Sequence, residues 1–305
     1  MTDRSRRDFL KQSISFGAAA LTAGSLAETP AWGADKSGLK MNYGLVTYMW
    51  GAKWDLPTLI GNLEESDVLG VELRTTHAHG VERHLNAEQR KEVKKRFDDS
   101  PVTLVSLGSN ERFDSPDPKA LQRAIEATKE FVKLGHDVGS SGVKVKPNSF
   151  HKNVPHEQTI EQIGKSLNVV GAFGADYGQQ IRLETHGQCA PPPIIKQIMD
   201  VADNPNVGVC WNSNAPDLVG KYDSKEENLV YNFNLLKDRL GATTHIRTLE
   251  WPGYPWQVLI NLFVKIDYAG WLMLEAGGVP EDPVKALVEQ KQLFKKMVAR
   301  ARAAL

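Results

Sequence analysis

The chain has 305 residues, with 37 Lys plus Arg balanced by 37 Asp plus Glu, and 41% of its residues are hydrophobic. That length and composition suit a soluble globular protein with a sizeable core. The balanced charge gives no bulk attraction to nucleic acid or an anionic membrane surface, which leaves a small molecule as the expected partner.

The N-terminus differs in kind from the rest. Ser5-Arg6-Arg7-Asp8-Phe9-Leu10-Lys11 precedes an apolar, Ala-rich run from Ile14 to Leu26, the layout of an export signal. The paired arginines with Phe9, Leu10 and Lys11 match the twin-arginine pattern, which implies passage of a folded protein through the twin-arginine export machinery. The run is too short and too rich in Gly and Ala for a stable membrane anchor. Residues 1–34 are therefore expected to be a signal peptide, with cleavage after Ala27 or near Ala34, and the mature protein is expected in a bacterial periplasm. In that compartment Cys189 and Cys210, near the ends of adjacent strands, are either a disulfide or two buried thiols.

After the signal, strands and helices alternate. Met41 to Tyr48 reads as the first strand and Leu56 to Ser66 as its helix. Gly70 to Arg74 is the second strand, followed by a helix from Asn86 through Phe97. Val102 to Leu107 leads into a helix from Asp117 to Leu134, and Gly142 to Lys146 into one from His156 to Phe173. The fifth strand, Gln180 to Glu184, ends at Gly187 and precedes a helix from Pro193 to Ala202. Val207 to Trp211 leads to Glu226 to Leu240, and Thr244 to Thr248 to a helix through Leu259 and Phe263. Trp271 to Glu275 closes the series before a final helix, Asp282 to Ala303.

Eight such units over residues 35–305 predict one domain, a single (β/α)₈ TIM barrel, whose usual size is about 250 residues. An open doubly wound sheet is disfavoured because no Gly-rich dinucleotide loop follows the first strand.

The strands share one design. In Ile181-Arg182-Leu183-Glu184, Val71-Glu72-Leu73-Arg74 and Val143-Lys144-Val145-Lys146, alternate positions differ in polarity, and Leu272-Met273-Leu274-Glu275 places an acid at the same strand-end position. Apolar members would face the helices. Glu72, Arg74, Lys144, Lys146, Arg182, Glu184, Asn212, His245, Arg247 and Glu275 would face the barrel interior, where each buried charge needs a partner or an ion. Arg182 and Lys144, one layer deeper, are expected to partner buried acids. Lys146 is expected either to stabilise an enolate as a catalytic residue or to pair with Glu72 or Glu184.

Glu184, Asn212, His245 and Glu275 end four consecutive strands on the face where such barrels build active sites. Two carboxylates, an amide oxygen and an imidazole suit Mn²⁺, with Mg²⁺, Co²⁺ or Zn²⁺ as alternatives. Glu184 and Glu275 on either side of a bound hydroxyketone could remove a proton from one face of a carbon and return it to the other.

At these residues the chain resembles the sugar phosphate isomerase/epimerase-like group with the xylose-isomerase-like barrel, which includes ketose epimerases and hydroxypyruvate isomerase. Leu183-Glu184-Thr185-His186-Gly187, Val209-Cys210-Trp211-Asn212, Thr244-His245-Ile246-Arg247 and Leu274-Glu275 carry the resemblance. It implies Glu184, Asn212, His245 and Glu275 as metal ligands and the two Glu as the acid-base pair. Epimerases carry Asp where Asn212 stands and His where Ala215 stands. The reaction expected is isomerisation or epimerisation beside a sugar carbonyl. β-Elimination from a 3-keto-glycoside, or sugar binding without catalysis after loss of the ion, are the alternatives. A nuclease on the same barrel is a weaker third reading.

His186, Trp211, Arg247 and Arg74 are expected substrate contacts, with Trp251, Tyr254 and Trp256 as further aromatic candidates. Arg74, Lys146 and Arg247 could receive a phosphate, although an exported protein would more often meet neutral sugars. His77, His79 and His84 read as a second metal cluster or as a loop over the mouth. Asp114 and Asp117 read as turn and helix-start residues. Homo-oligomerisation is left open.

Overall fold

The computed structural model describes residues 40–305, so the export signal expected over residues 1–34 lies outside the described residues. Eight parallel strands alternate with eight α-helices. The strands are β1 (Asn42–Val46), β2 (Gly70–Arg74), β3 (Thr103–Arg112), β4 (Gly142–Lys146), β5 (Gln180–Glu184), β6 (Val207–Cys210), β7 (Thr243–Ile246) and β8 (Trp271–Leu274). The helices are α1 (Leu56–Glu65), α2 (Ala87–Asp98), α3 (Pro118–Val138), α4 (His156–Asp176), α5 (Pro192–Val201), α6 (Lys225–Leu236), α7 (Trp256–Lys265) and α8 (Pro283–Ala303).

Several helices start where the sequence supplies an acceptor for otherwise unpaired backbone N–H groups. Asp55, Asp117, Ser224 and Asp282 each accept from a first-turn amide. Asn86 and Gln89 form a reciprocal capping box at α2.

The strands pair in the order β6-β5-β4-β3-β2-β1-β8-β7. Between β6 and β7 the ring is joined more sparsely, by bridges at Val209 with Leu240 and Asn212 with His245. There the His245 amide donates to Trp211 O at 2.6 Å and the Ser213 amide to His245 O at 3.1 Å. The molecule is thus a single (β/α)₈ TIM barrel, as the alternation of elements predicts.

The alternation along each strand sorts its side chains as expected. Val71, Leu73, Val143, Val145, Ile181, Leu183, Leu272 and Leu274 join the large apolar cluster that includes buried helix residues such as Leu59, Ile163 and Leu259. Inside the ring, Val46, Val105, Trp271 and Met273 form a small separate apolar plug. Glu72, Lys144, Arg182 and His245 are buried alongside.

Strand β3 runs five residues past the Leu107 end expected from sequence, to Arg112. Gly108-Ser109-Asn110 has turn composition, but the glycine is needed for space. A Cβ on Gly108 would sit 2.8 Å from Glu72 Oε1. The extension carries Asn110 to the barrel mouth.

Cys189 and Cys210 are both buried free thiols, the second of the two readings. Burial pushes the Cys189 thiol up to about 12 and raises that of Cys210, so neither is poised as a nucleophile.

Candidate active site

The pocket at the C-terminal ends of the strands is lined by Tyr48, Arg74, Lys146, Glu184, His186, Asn212, Asn214, Arg247, Glu275 and Gly277, and has a volume of about 260 Å³. Small size and a polar lining suit a small polyhydroxylated ligand.

Glu184 closes β5, Asn212 and Glu275 follow the last residues of β6 and β8, and His245 lies within β7. Their strand-end placement makes them converge. Ligand atoms of Glu184, His245 and Glu275 all lie within 4.8 Å of one another. His245 Nδ1 is 3.6 Å from Glu184 Oε1 and 3.5 Å from Glu275 Oε2, and it is buried without a hydrogen-bond partner. Asn212 Nδ2 donates to Glu184 Oε1 at 2.8 Å and to Glu275 Oε2 at 3.1 Å.

This donor set fits a divalent cation. The unpartnered Nδ1 and two convergent carboxylates are three donors, and a flip of the Asn212 amide offers Oδ1 as a fourth. Three of the four are oxygens, which favours a hard ion of the Mn²⁺ or Mg²⁺ kind.

Two buried charges brace the set from below. Lys144 Nζ lies 2.8 Å from Glu184 Oε2, with both side chains sealed from solvent. Glu72 Oε1 lies 3.1 Å from His245 Nε2, again fully buried. Burial opposes ionisation of Glu184, but Lys144 and His245 beside it hold the carboxyl well below the usual range. Burial likewise opposes the charge on Lys144, and the carboxylates of Glu184, Glu72 and Glu275 more than offset it, so its pKa is raised.

The other expected site residues divide. His186, Arg74, Arg247 and Lys146 line the pocket. His186 Nδ1 pairs with Asn148 Oδ1 at 3.2 Å. Its loop is fixed at Gly187, whose φ of +67° is unfavourable for other residues and where a Cβ would lie 2.3 Å from Asn148 O.

Trp211 does not line the pocket. It is fully buried in the core, tilted against Phe233 with ring centroids 5.7 Å apart, because the pleat that turns Asn212 inward turns its neighbour outward. Tyr254 and Trp256 are buried too, whereas Trp251 is exposed and lies under the Arg247 guanidinium at 5.1 Å.

Lys146 pairs with neither Glu72 nor Glu184. Its Nζ donates to Asn110 Oδ1 at 3.1 Å, and Lys144 is the partner of Glu184. Arg182 does not pair with an acid as expected. It donates to Val105 O, to Ser141 O and Oγ, and to Gln180 Oε1.

The histidines after β2 do not form a metal cluster. His79 is buried, pairs with Arg74 O and accepts from the Val81 amide, and His77 Nδ1 faces Thr47 Oγ1. Asp117 caps α3. Asp114 is more than a turn residue: it is buried and accepts from the Ser149 amide at 3.1 Å.

Glu72 as the partner of His245, Tyr48 as a pocket residue, and Asn110 as the acceptor shared by Arg74 and Lys146, were not read from sequence as parts of the site. The inward register of Glu72 on β2 was the available signal for the first.

The family model described as xylose isomerase-like TIM barrel matches residues 60–297. The chain belongs to this family. No curated protein sequence matches.

Among solved structures, this xylose isomerase-like barrel is similar to a 3-keto-D-glucoside 4-epimerase from E. coli in apo form, with TM-score 0.68 and 13% identity over 84% of this chain and 99% of that one. An L-ribulose 3-epimerase gives TM-score 0.68 and 13% identity over 87% and 96% of the two chains. The IOLI protein, solved with a bound zinc atom, gives TM-score 0.65 and 17% identity over 86% and 99%. At these identities the likeness is one of fold.

Proposed function

We propose that the protein is a divalent-metal-dependent isomerase or epimerase that moves a proton beside the carbonyl of a sugar. The supporting observation is the convergence of Glu184, His245 and Glu275 within 4.8 Å in a polar pocket at the barrel mouth. The epimerase activity of structural neighbours points the same way.

Glu184, Asn212, His245 and Glu275 would hold the ion, for which Mn²⁺ is the first choice. A divalent cation there would polarise the carbonyl and balance the charge of the enediolate. Glu275 and Glu184 are the proton-transfer pair. Glu275 is open to the pocket, while Lys144 and Asn212 fix Glu184 in place. His186 and Arg247 contact the sugar hydroxyls from the loops after β5 and β7.

The test is turnover of keto sugars by protein stripped with chelator and reloaded with Mn²⁺, read by incorporation of solvent deuterium into the substrate. Reloading should restore exchange, and Glu275→Gln should lower it by about 100-fold or more. Undiminished exchange after stripping would defeat the proposal.

A second reading has its own observation. The Asn212 amide bridges both carboxylates and Lys144 neutralises Glu184, so the cluster is compensated without an ion, as in a barrel that binds sugar only. Metal content of the purified protein separates the two. A stoichiometric divalent ion favours the enzyme.

Export by the twin-arginine route is part of the proposal, supported by Arg6-Arg7 and the apolar run that follows. Replacing both arginines by lysine should retain the protein in the cytoplasm, and unaltered export would refute this.

A further inference from the structure

The pocket has two unlike walls. The ends of β5, β6 and β8 supply Glu184, Asn212 and Glu275, with His245 buried behind them. The ends of β2 and β4 supply Arg74 and Lys146, which Asn110 of β3 joins. On that second wall a single acceptor, Asn110 Oδ1, takes Arg74 Nη2 at 3.3 Å and Lys146 Nζ at 3.1 Å. Two cations therefore share one neutral oxygen. Among the described residues neither forms an ion pair with a carboxylate, and Arg74 Nε is buried with no hydrogen-bond partner.

With Asn110 Oδ1 already engaged, the polar groups that Arg74 and Lys146 bring to the pocket are all donors: guanidinium N–H groups and an ammonium. Sugar hydroxyls both donate and accept, so a donor-only surface is a poor match for them. It matches a group that only accepts. An oxyanion also supplies the charge that this wall lacks.

We propose that the sugar taken by this pocket carries an oxyanion, a carboxylate or a phosphate ester, seated on Arg74 and Lys146 across from the Glu184, His245 and Glu275 cluster. The proposal rests on reading the site as a sugar site, and it narrows the substrate class within that reading.

The electrostatics of the wall agree with the geometry. Burial, Lys144 and Arg74 outweigh Glu184 and Glu275 and bring the Lys146 ammonium down to about 8, so at neutral pH it is charged with two cations close by. An arriving anion relieves that repulsion. Arg74 is further fixed by stacking on the Tyr48 ring at 4.9 Å, which lowers the entropic cost of ordering it around a ligand.

The test is calorimetric titration of the full chain with fructose, psicose, tagatose and sorbose, each as the free sugar, oxidised to a carboxylate at C6, and phosphorylated at C6. For at least one sugar the carboxylate or phosphate form should bind about tenfold or more tightly than the free form. The comparison of the two anionic forms identifies which oxyanion fits.

The preference should shrink in about 0.5 M NaCl and fall to near unity in Arg74→Gln and Lys146→Met, while Lys146→Arg retains it. Equal affinity for free and anionic forms, a preference that survives both substitutions, or binding of no form at all would overturn the proposal. Metal-dependent turnover of neutral sugars without the preference would sink this inference and leave the proposed function standing. Anion preference without metal-dependent turnover would do the reverse.

Discussion

Lys144 and Glu184 form a 2.8 Å ion pair with no solvent access, directly beneath the candidate site. Each charge is affordable in the barrel interior only because the other is there. Lys144→Met should therefore destabilise the fold by about 3–5 kcal/mol in urea unfolding, since it leaves a buried carboxylate uncompensated. Adding Glu184→Gln should recover a large part of the loss. The lowered Glu184 pKa makes its contribution present above the unfolded value of about 4.3 and lost as pH falls through the folded one. The raised Lys144 pKa makes its share present below about 10.4 and lost as pH rises through the folded value. The double variant should show neither of these losses.

Glu72 stands 3.1 Å from the nitrogen of His245 that faces away from the carboxylate cluster. Carboxylates in this position fix the orientation and basicity of a ligating imidazole. Glu72→Gln should weaken Mn²⁺ binding by about 10–100-fold in a direct metal titration, with the thermal transition of the stripped protein as the control for folding. Unaltered Mn²⁺ affinity would remove Glu72 from the site.

Asp217 is fully buried in the loop after β6. Its Oδ2 accepts from Tyr254 Oη at 2.7 Å and from the Asn214 amide at 2.9 Å, while Oδ1 has no partner. Burial pushes its carboxyl up to about 8. The folded value exceeds the unfolded value of about 3.9, so the stability it contributes is complete below that value and lost as pH rises to about 8. The slope is at most about 1.4 kcal/mol per pH unit. Asp217→Asn keeps an acceptor for both donors and removes the titration. Its stability relative to the parent should rise by up to about 3 kcal/mol between pH 5.5 and 7.5, measured by urea unfolding at each pH.

Gly187 combines a φ of +67° with a Cβ position 2.3 Å from Asn148 O. Gly187→Ala should cost about 1–3 kcal/mol and displace His186, whose ring is held by Asn148. Sugar affinity should fall with it, while Mn²⁺ affinity should hold, because Lys144 and Asn212 pin Glu184 independently of this loop.

The barrel was legible because alternation on the strands survives in the sequence. Ile181 and Leu183 outward with Arg182 and Glu184 inward is a pattern that any register of a parallel ring preserves. The ion pairs were not legible, because they depend on which inward residues share a layer. Lys144 and Lys146 differ by one pleat, yet the first meets Glu184 and the second meets Asn110. Asn110 itself was hidden by the turn-like Gly108-Ser109-Asn110, where the missing side chain makes room for Glu72. Trp211 misled for the opposite reason: adjacency to Asn212 in sequence puts it on the other side of the sheet.

The sparse joint between β6 and β7 gives the pocket a mechanical role. Asn212 and His245 form one of the two bridges across it, the one at the pocket end, so whatever grips both side chains also clasps the hoop shut there. Occupancy and cohesion then become a single equilibrium. Loading the pocket should slow deuterium uptake at the amides of Ser213 and His245 more than at those of the well-laddered β3 and β4, and an emptied protein should begin to open at this clasp.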